Sequence, residues 1–572
     1  MSIDLKAKPF YLSDEQIAWV EETLQGMSLN DRIGQLFLPL ALGTAEDFME
    51  LCDRIGLKPC GILFRKDSVA NYRAKTMALQ EHFPIPLLIA ADVERGASDI
   101  LEEGMNYGHN MGLAATKDPE VAYRAGRYCA QECTAAGVHW DFGPVSDLDL
   151  NPFNPVTNVR TFGSDLETVI AFARSMARGL RDGGLAVTAK HFPGDGVDGR
   201  DQHFLSSVNS MSMEEWDATY GKIYQALIDD GVESIMEGHI QLPSYAKYYA
   251  PGTPGEDILP ASLNAEMNRH LVREKLGFNG VLITDASSMC GFTEVLPRRI
   301  AVPTCIENGA DVFLFMRNLE EDFEFMKQGV ADGILSEKRL EEAVTRILAL
   351  KAKLRLPEKK AAGTLIPAED SEAMRAFRSE EKIRFEKEVA DRSITLVKDT
   401  QHLLPLDPAK QHRLMVVALG DKPSYHLPRG GYVKEFAEAL QAQGFAVTVY
   451  DESPEMQFDL ARSRISDLKA KYDVIVYFGN ICTNGADSSA RITWPGVRVT
   501  MPALIRELPY LMVSVDNPYL LMDAPRIPTY INAYTATPTI IETLAEKLAG
   551  KSPFKGVSPI NAFTTLFPNT DK

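Results

Sequence analysis

The polar side chains best suited to chemistry lie in residues 185–204, LAVTAKHFPGDGVDGRDQHF. An apolar run from Leu185 to Thr188 stops at the pair Lys190 and His191, and a glycine-rich loop follows. That loop carries three carboxylates and an imidazole: Asp195, Asp198, Asp201 and His203. Acidic, glycine-rich loops are common on protein surfaces. However, a charged pair that continues a buried strand is costly unless it serves a site, so we interpret the segment as functional.

A second candidate, Asp285, ends the apolar part of GVLITDAS (280–287). An aspartate at this place is either a helix N-cap, which is the commoner role, or a nucleophile. Retaining glycosidases need a carboxylate that attacks the anomeric carbon and a second group that protonates the leaving oxygen. His203 is a candidate for the second group, because an imidazole titrates near neutrality and Asp201 can fix its tautomer. The alternative is a surface histidine on a mobile loop.

Eight apolar runs, separated by helical patterns, must position these residues. They are 34–42, 60–65, 86–92, 139–147, 185–193, 234–240, 280–287 and 310–316. The runs are nearly continuously hydrophobic, which is typical of parallel strands covered on both faces. One helix between them has Ser212 and Glu215 at capping-box spacing and ends near Gly231. The pattern predicts a (β/α)8 barrel, with an incomplete barrel as the alternative.

Polar residues stand where several of these runs end. They are Asp92, Asp147, Lys190, His191, His239 and Asp285. Any one of them could be a structural polar group, but the active site of a barrel enzyme lies at the carboxyl ends of its strands. We therefore expect these side chains to converge.

A second alternation of strands and helices follows the barrel pattern. Residues 355–382 are polar and contain Pro and Gly, which is typical of a linker. A helix over 383–392 then leads into strands at 393–399, 413–420, 445–451, 473–479, 510–516 and 527–534. The prediction is a catalytic barrel domain at 1–354, a linker and connecting helix at 355–392, and a smaller α/β sandwich domain at 393–572.

Composition limits the partners and the compartment. The 572 residues carry a formal net charge of -19, which argues against nucleic acid or an anionic membrane as a partner. The amino terminus has no apolar signal-peptide core, and no run approaches the length of a membrane span. Seven scattered cysteines indicate a reducing compartment. We expect a cytoplasmic protein that needs no cofactor or metal, and the oligomeric state is left open.

The segment KHFPGDGVDGRDQH (190–203) resembles the signature that follows the fifth strand in family 3 glycoside hydrolases of the β-N-acetylglucosaminidase branch. Four other segments resemble that family: AADVERG (90–96), DFGPVSDLDLNPFNPVTNVRTFG (141–163), LITDASSM (282–289) and SITLVKDTQHLLPL (393–406). The resemblance covers nearly the whole chain. It implies removal of a non-reducing terminal β-linked N-acetylglucosamine from a small carbohydrate, through a covalent intermediate.

The resemblance also assigns roles to individual residues. Asp285 would be the nucleophile, His203 the acid/base group and Asp201 its partner in a dyad. The sugar hydroxyls would be held by Asp92, Arg160, Lys190 and His191, with His239 a weaker contributor and Asp195 near the subsite. The chain departs from the branch at Asp195, where His or Leu is usual, and at Gln202, where Ser or Thr is usual. The branch's arginine after the third strand is also missing, since Arg95 has the wrong spacing.

Several alternatives remain on the same residues. A metal-dependent hydrolase could use His191, His203, His239, Asp195 and Asp285 as ligands, although the first strand lacks the paired histidines common in such barrels. A non-catalytic sugar-binding protein is the second alternative. Activity on β-glucosides or β-xylosides is a third. Transfer to phosphate instead of water is a fourth, because an imidazole repels an incoming anion less than a carboxylate does.

Overall fold

The computed structural model describes residues 3–375, 377–422, 430–483, 491–496 and 500–563. The helices are α1 Asp14–Gly26, α2 Leu29–Gly34, α3 Ala45–Ile55, α4 Val69–His82, α5 Asn110–Ala115, α6 Pro119–Ala135, α7 Leu166–Asp182, α8 Met213–Ala218, α9 Tyr220–Asp229, α10 Pro243–Tyr249, α11 Cys290–Thr293, α12 Arg298–Glu307, α13 Leu319–Ala331, α14 Glu337–Lys353, α15 Leu356–Ala361, α16 Glu372–Arg375, α17 Glu380–Ser393, α18 Tyr432–Ala442, α19 Pro454–Arg462, α20 Ile465–Lys471 and α21 Pro538–Leu548. A π-helix spans Met267–Lys275, and short 3₁₀ turns span Ala97–Asp99, Asn158–Arg160, Gly255–Asp257, Ala261–Leu263 and Leu520–Met522.

The strands are β1 Phe37–Leu38, β2 Leu40–Ala41, β3 Gly61–Phe64, β4 Leu88–Ala91, β5 Trp140–Asp141, β6 Thr188–Phe192, β7 Ser207–Val208, β8 Ser234–Glu237, β9 Ile240–Gln241, β10 Val281–Thr284, β11 Phe313–Leu314, β12 Thr395–Asp399, β13 Arg413–Gly420, β14 Ala446–Val449, β15 Val474–Asn480, β16 Tyr510–Ser514 and β17 Thr529–Asn532. Every apolar run that was predicted to be a strand contains one of them. The fold is mixed α/β, as predicted. None of the helices in the described ranges is both long enough and apolar enough to cross a bilayer.

Contacts divide the described chain into two compact units. The first comprises 1–106, 122–151 and 169–382, and the second comprises 107–121, 152–168 and 383–572. This division differs from the predicted ranges, because two internal segments belong to the second unit. It also differs at 355–382, where the sequence predicted a linker but the first unit includes α15 and α16. The polar composition of that stretch predicted a linker, but a few of its residues pack against the first unit. Leu356 is fully buried, and the Pro367 carbonyl accepts a hydrogen bond from Arg73.

The strands of the first unit pair in parallel in the order of the sequence. One sheet has the order β2-β3-β4-β5 and another has β10-β8-β6. Single bridges join Trp140 to Ala186 and Ile283 to Val312, and β1 pairs with β11. The short ribbon of β7 and β9 lies outside this series. All residues of β3, β4, β6, β8 and β10 are buried, including the polar Lys190 and Glu237, and burial on both faces explains why β3, β4 and β10 are almost entirely apolar rather than alternating.

Capping boxes begin α1, α3 and α8 in the first unit, and the box at α8 was predicted from the sequence. Ser13 and Gln16 cap α1, and Ser212 and Glu215 cap α8. The helix predicted from Ser212 to Gly231 is broken at Thr219, so it forms α8 and α9. Each box satisfies main-chain N–H groups that have no partner within the first helical turn.

The second unit contains a six-stranded sheet of order β12-β17-β16-β15-β13-β14. All neighbours are parallel except β12, which is antiparallel to β17. One apolar core lies on each face of the sheet. The first core includes Val416, Val476 and Leu544, and the second includes Met415, Tyr477 and Met512. Covering both faces of a mostly parallel sheet is the expected arrangement for an α/β sandwich.

A buried ion cluster lies where the last strand of the first unit begins. The Asp311 carboxylate accepts hydrogen bonds from Arg273 and Arg339 at 2.9 and 2.6 Å, and it lies 3.3 Å from Arg346 Nη1. It also accepts the N–H of Leu282 in the neighbouring strand. Burial alone would raise the pKa of Asp311, but the three guanidinium groups hold it below its usual value. The cluster therefore needs an ionised carboxylate at its centre.

We predict that Asp311→Ala destabilises the protein strongly. Removing one partner from a buried ion pair leaves uncompensated charge, and the expected loss is about 3–5 kcal/mol of the free energy of unfolding, measured by urea denaturation. Asp14→Ala is the matched control, because its ion pair with Lys6 is exposed and its loss should leave the midpoint unchanged. A small effect for Asp311→Ala would contradict the structural role of the cluster.

Candidate active site

The Lys190 ammonium is engaged by two carboxylates. It donates to Asp92 at 2.6 Å and lies 2.8 Å from Glu94 Oε1. The Lys190 side chain is 2% exposed, whereas that of Asp92, directly after β4, is 49% exposed. The buried lysine therefore orients a carboxylate that faces open space. Asp92 and Lys190 were predicted from the sequence, and Glu94 was missed, although its place in AADVERG (90–96) was the available signal.

His191 is oriented by Asp147. The ring Nδ1 lies 2.7 Å from Asp147 Oδ2, and the same carboxylate accepts the main-chain N–H groups of His191 and Asp195. The Asp147 side chain is fully buried, and the peptide bond between Lys190 and His191 is cis. Asp147 thus orients His191 and also fixes the start of the glycine-rich loop.

The Asp201 and His203 side chains form a hydrogen-bonded pair on that loop. His203 Nδ1 lies 2.7 Å from Asp201 Oδ1, which also accepts the His203 N–H. The Asp201 side chain is 3% exposed and the His203 ring is 33% exposed. If Nδ1 carries the proton that it shares with Asp201, then Nε2 remains for proton exchange with a bound molecule. The loop is not free-standing, because the Cys290 N–H donates to the His203 carbonyl at 3.0 Å.

Asp285 directly follows β10 and is surrounded by imidazoles. Burial alone would raise the pKa of its carboxyl group, but His191, His239 and His203 together with the Ala286 N–H hold the pKa below its usual value. The Ala286 N–H donates to Asp285 Oδ1 at 2.7 Å, and the Asp285 N–H donates to the Glu237 carbonyl. The site therefore favours a carboxylate anion at the end of β10, which is the form that a nucleophile requires.

His239 lies beneath the site rather than in it. Its side chain is completely buried, Nδ1 lies 2.8 Å from Ser262 Oγ, and Nε2 lies 3.0 Å from the Ala286 carbonyl. Burial lowers the pKa of its imidazole, although Asp285 opposes this effect. With both nitrogens occupied, His239 supports the turn that presents Asp285. The weaker contribution to sugar binding that the resemblance implies for His239 stays a prediction.

Two other predicted site residues, Asp195 and Arg160, also have protein partners, and their roles at the sugar stay predictions. Asp195 is buried, with Gly196 N–H on Oδ1 and the Gln202 amide 3.4 Å from Oδ2, so its carboxylate contacts protein groups. Arg160 belongs to the second unit, where it ends a 3₁₀ turn and donates to the Val156 carbonyl. Its role in binding remains a prediction.

Asp141 is a further acidic residue that the sequence interpretation passed over. It ends β5, and Oδ1 accepts the Val93 N–H next to Asp92. Burial raises the pKa of Asp141 well above its usual value despite the charge of Lys190. Its position in the run at 139–147 was the available signal, but an acid within a strand cannot be separated from a structural one without the fold.

The described residues do not assemble a metal site. Within these ranges, no group of three or more His, Cys, Asp or Glu side chains is placed so that it could hold a metal ion. His191, His203 and His239 instead each have a ring nitrogen near a protein oxygen acceptor or hydroxyl.

Comparisons with known proteins show the family of the chain. Residues 63–350 match the model of the glycosyl hydrolase family 3 N terminal domain. The chain is 41% identical over 564 residues to a beta-N-acetylglucosaminidase/beta-glucosidase of Cellulomonas fimi, covering 98% of each chain. It is 31% identical over 239 residues to a beta-hexosaminidase of Methylobacillus flagellatus, covering 40% of this chain and 65% of the relative.

Solved structures give the same result. The beta-glucoside phosphorylase BglX bound to 2FGlc superposes with a TM-score of 0.91 at 40% identity, covering 98% of this chain and 99% of the other. A family 3 beta-N-acetylglucosaminidase from Paenibacillus sp. str. FPU-7 superposes with a TM-score of 0.79 at 26% identity, covering 95% of this chain and all of the other. The family model, the relatives and these structures together show that this α/β protein is an enzyme of the glycoside hydrolase class. The chain belongs to glycoside hydrolase family 3.

We predict that the imidazoles set the acid limit of activity. Ionised Asp285 becomes protonated as the pH falls through its pKa, and His191→Asn removes one of the groups that keep that pKa low. The acid limb of a kcat/KM profile should therefore move to higher pH. His82→Asn, a partly exposed histidine that pairs with Asp53, is the control and should leave the limb in place. An unmoved acid limb for His191→Asn would contradict the electrostatic coupling.

Proposed function

We propose that the protein is a retaining, exo-acting glycosidase that removes non-reducing terminal β-linked N-acetylglucosamine. The observation that carries this proposal is the link between the Asp201–His203 pair and the segment after Asp285. The main-chain carbonyl of His203 accepts the N–H of Cys290, which lies a few residues after Asp285 in the chain. His203 is also one of the histidines that lower the pKa of the Asp285 carboxyl group. Double displacement needs a nucleophile and an acid/base group at the same glycosidic bond, and this hydrogen bond joins the two segments that carry them.

We infer that the first unit is a (β/α)8 barrel. The first apolar run pairs with the second through Leu40 and Leu63, and with the eighth through Phe37 and Phe313. The bridges at Trp140 and Ile283 connect the intervening sheets. A series of parallel strands whose first member pairs with its last is closed, and its carboxyl ends form one rim. Asp92, His191 and Asp285 would then face the same rim.

The proposed reaction has two steps. In the first step, an Asp285 carboxylate oxygen attacks the anomeric carbon while the bond to the leaving oxygen breaks, and His203 transfers its Nε2 proton to that oxygen. In the second step, neutral His203 removes a proton from water, whose oxygen displaces Asp285 from the sugar. Asp201 stabilises the imidazolium that exists before the first step and after the second. Asp92, with Arg160, Lys190 and His191, is proposed to bind or orient the sugar hydroxyls.

The identity of the sugar rests on the relatives. The Cellulomonas fimi protein carries both the N-acetylglucosaminidase and the glucosidase name, so β-glucosides are the alternative substrate class. Arg95 does not substitute for the arginine that the branch carries after the third strand, because it forms an ion pair with Asp99 at 2.7 Å. Aryl glycosides with and without a 2-acetamido group distinguish these substrates directly.

We predict that Asp285→Asn abolishes turnover while the fold is kept. An amide does not attack the anomeric carbon, and the loss of kcat should be about 10⁴-fold, as is typical for removal of a nucleophile. The assay is release of an aryl leaving group, with the melting temperature as a check on folding. Asp257→Asn, at an exposed position, should retain full activity. Near wild-type activity in Asp285→Asn would show that the nucleophile lies elsewhere.

Phosphorolysis is the second candidate. Two observations favour it: the acid/base group is an imidazole, which does not repel a phosphate dianion as a carboxylate would, and the chain is 40% identical to the beta-glucoside phosphorylase BglX. Phosphate would then replace water in the second step, and its oxygen would displace Asp285 to give a sugar 1-phosphate.

If the enzyme is a phosphorylase, added phosphate should increase the rate of the second step and divert the product to a sugar 1-phosphate, measured by ³¹P NMR during turnover of an activated aryl glycoside. Sulfate at matched ionic strength is the control, because it carries similar charge but should not form a stable glycosyl product. Release of free sugar alone at every phosphate concentration would assign the enzyme to hydrolysis.

A further inference from the structure

The side chain of Gln202 connects three separate parts of the candidate site. It stands between Asp201 and His203 and is completely buried. Its Oε1 accepts the His239 N–H, just after β8, at 2.7 Å, and its Nε2 points to Asp195 Oδ2 at 3.4 Å. Its main-chain carbonyl accepts the Gly291 N–H at 3.1 Å. One residue thus holds the loop after β6 against the segment just after β8 and against α11.

Two glycines make this close approach sterically possible. A Cβ atom at Gly291 would lie 2.8 Å from the Gln202 carbonyl oxygen and 2.8 Å from His239 Cβ. A Cβ atom at Gly238 would lie 3.2 Å from Gln202 Oε1. The backbone on both sides is therefore shaped to receive the glutamine, and a side chain at Gly291 would push the loop outward.

Only an amide of this length satisfies both partners. A glutamate would accept from His239 but would repel the buried Asp195 carboxylate. A lysine would donate to Asp195 but would leave the buried His239 N–H without an acceptor, which is unfavourable. A serine or threonine is too short to span the distance. The neighbours of Gln202 therefore specify its chemical type as well as its size.

We propose that Gln202 is a positioning residue that fixes the loop so that the His203 imidazole is held in place for proton transfer. This inference rests on the proposed acid/base role of His203. An acid/base group must lie within hydrogen-bond reach of the oxygen that it protonates, and displacement by about 1 Å reduces rates by about 100-fold. Gln202 is buried, so it acts on the reaction through His203 and has no contact with substrate of its own.

The test compares Gln202→Met, which keeps the volume but accepts no hydrogen bond, with Gln202→Glu, which keeps the acceptor for His239. Gln202→Met should lower kcat about 10- to 100-fold for substrates with poor leaving groups, which need protonation, and much less for activated aryl glycosides. Gln202→Glu should also lower activity, because its carboxylate would face the buried Asp195 carboxylate that the amide contacts at 3.4 Å. Gln80→Met is the matched control, since Gln80 is a buried glutamine that bridges the main chain at Leu87 away from the site.

Combination with His203→Ala separates positioning from a general structural effect. If Gln202 acts through His203, then Gln202→Met should cost little further activity in the His203→Ala background. An equal loss in both backgrounds would overturn the proposal. Hydrogen exchange gives an independent measurement, because Gln202→Met should speed exchange at the Cys290 and Gly291 amides while Gln80→Met should not. Unchanged exchange there would also overturn it.

These readouts keep the two proposals apart. If His203→Ala left the dependence on the leaving group unchanged, the assigned role of His203 would fail even where exchange shows that Gln202 holds the loop. If His203→Ala changed that dependence and Gln202→Met did not, the acid/base assignment would stand and the positioning role would fall.

Discussion

A carboxylate that stays ionised in a mostly buried site is the constraint on which the rest of this structure depends. Burial alone would raise the pKa of Asp285, because it disfavours the charged form of the carboxyl group. Three histidines from the ends of β6 and β8 and from the intervening loop supply the compensation, with one main-chain N–H. Each imidazole must in turn be oriented, which requires a further layer of buried polar residues behind it.

That supporting layer is built from main-chain and side-chain hydrogen bonds. Asp147 orients His191 and also binds the N–H of Asp195, so the strand end and the start of the loop share one carboxylate. His239 Nε2 lies near the Ala286 carbonyl, and the main-chain N–H of His239 donates to Gln202 Oε1. The groups proposed to act on the sugar are thus held in place by buried polar residues behind them. Such support limits the freedom of side chains whose geometry sets the rate.

The departures of this chain from its family lie in this same layer. Asp195 and Gln202 stand where other residues are usual in the branch, and the structure brings them within 3.4 Å of each other. Because the two side chains contact each other, we interpret the two departures as a single feature of the loop rather than as two independent changes at a sugar subsite. Arg95, by contrast, is paired with Asp99. We therefore expect sugar recognition after the third strand to differ from that of the branch, while the Asp201 and His203 pair is present.

The sequence by itself determined the class of fold, the places of the strands and the family, because continuous apolar runs and the motif at 190–203 are local features. It also indicated that Asp92, His191 and Asp285 stand at strand ends, while their catalytic or binding roles stay predictions. Only the tertiary structure decided which partners these residues have. The ion pair of Glu94 with Lys190 and the hydrogen bonds of Gln202 connect residues that are far apart in the sequence. The burial of Asp195 and His239 also depends on how these segments pack. Inclusion of 107–121 and 152–168 in the second unit likewise depends on long-range packing, which no local pattern records.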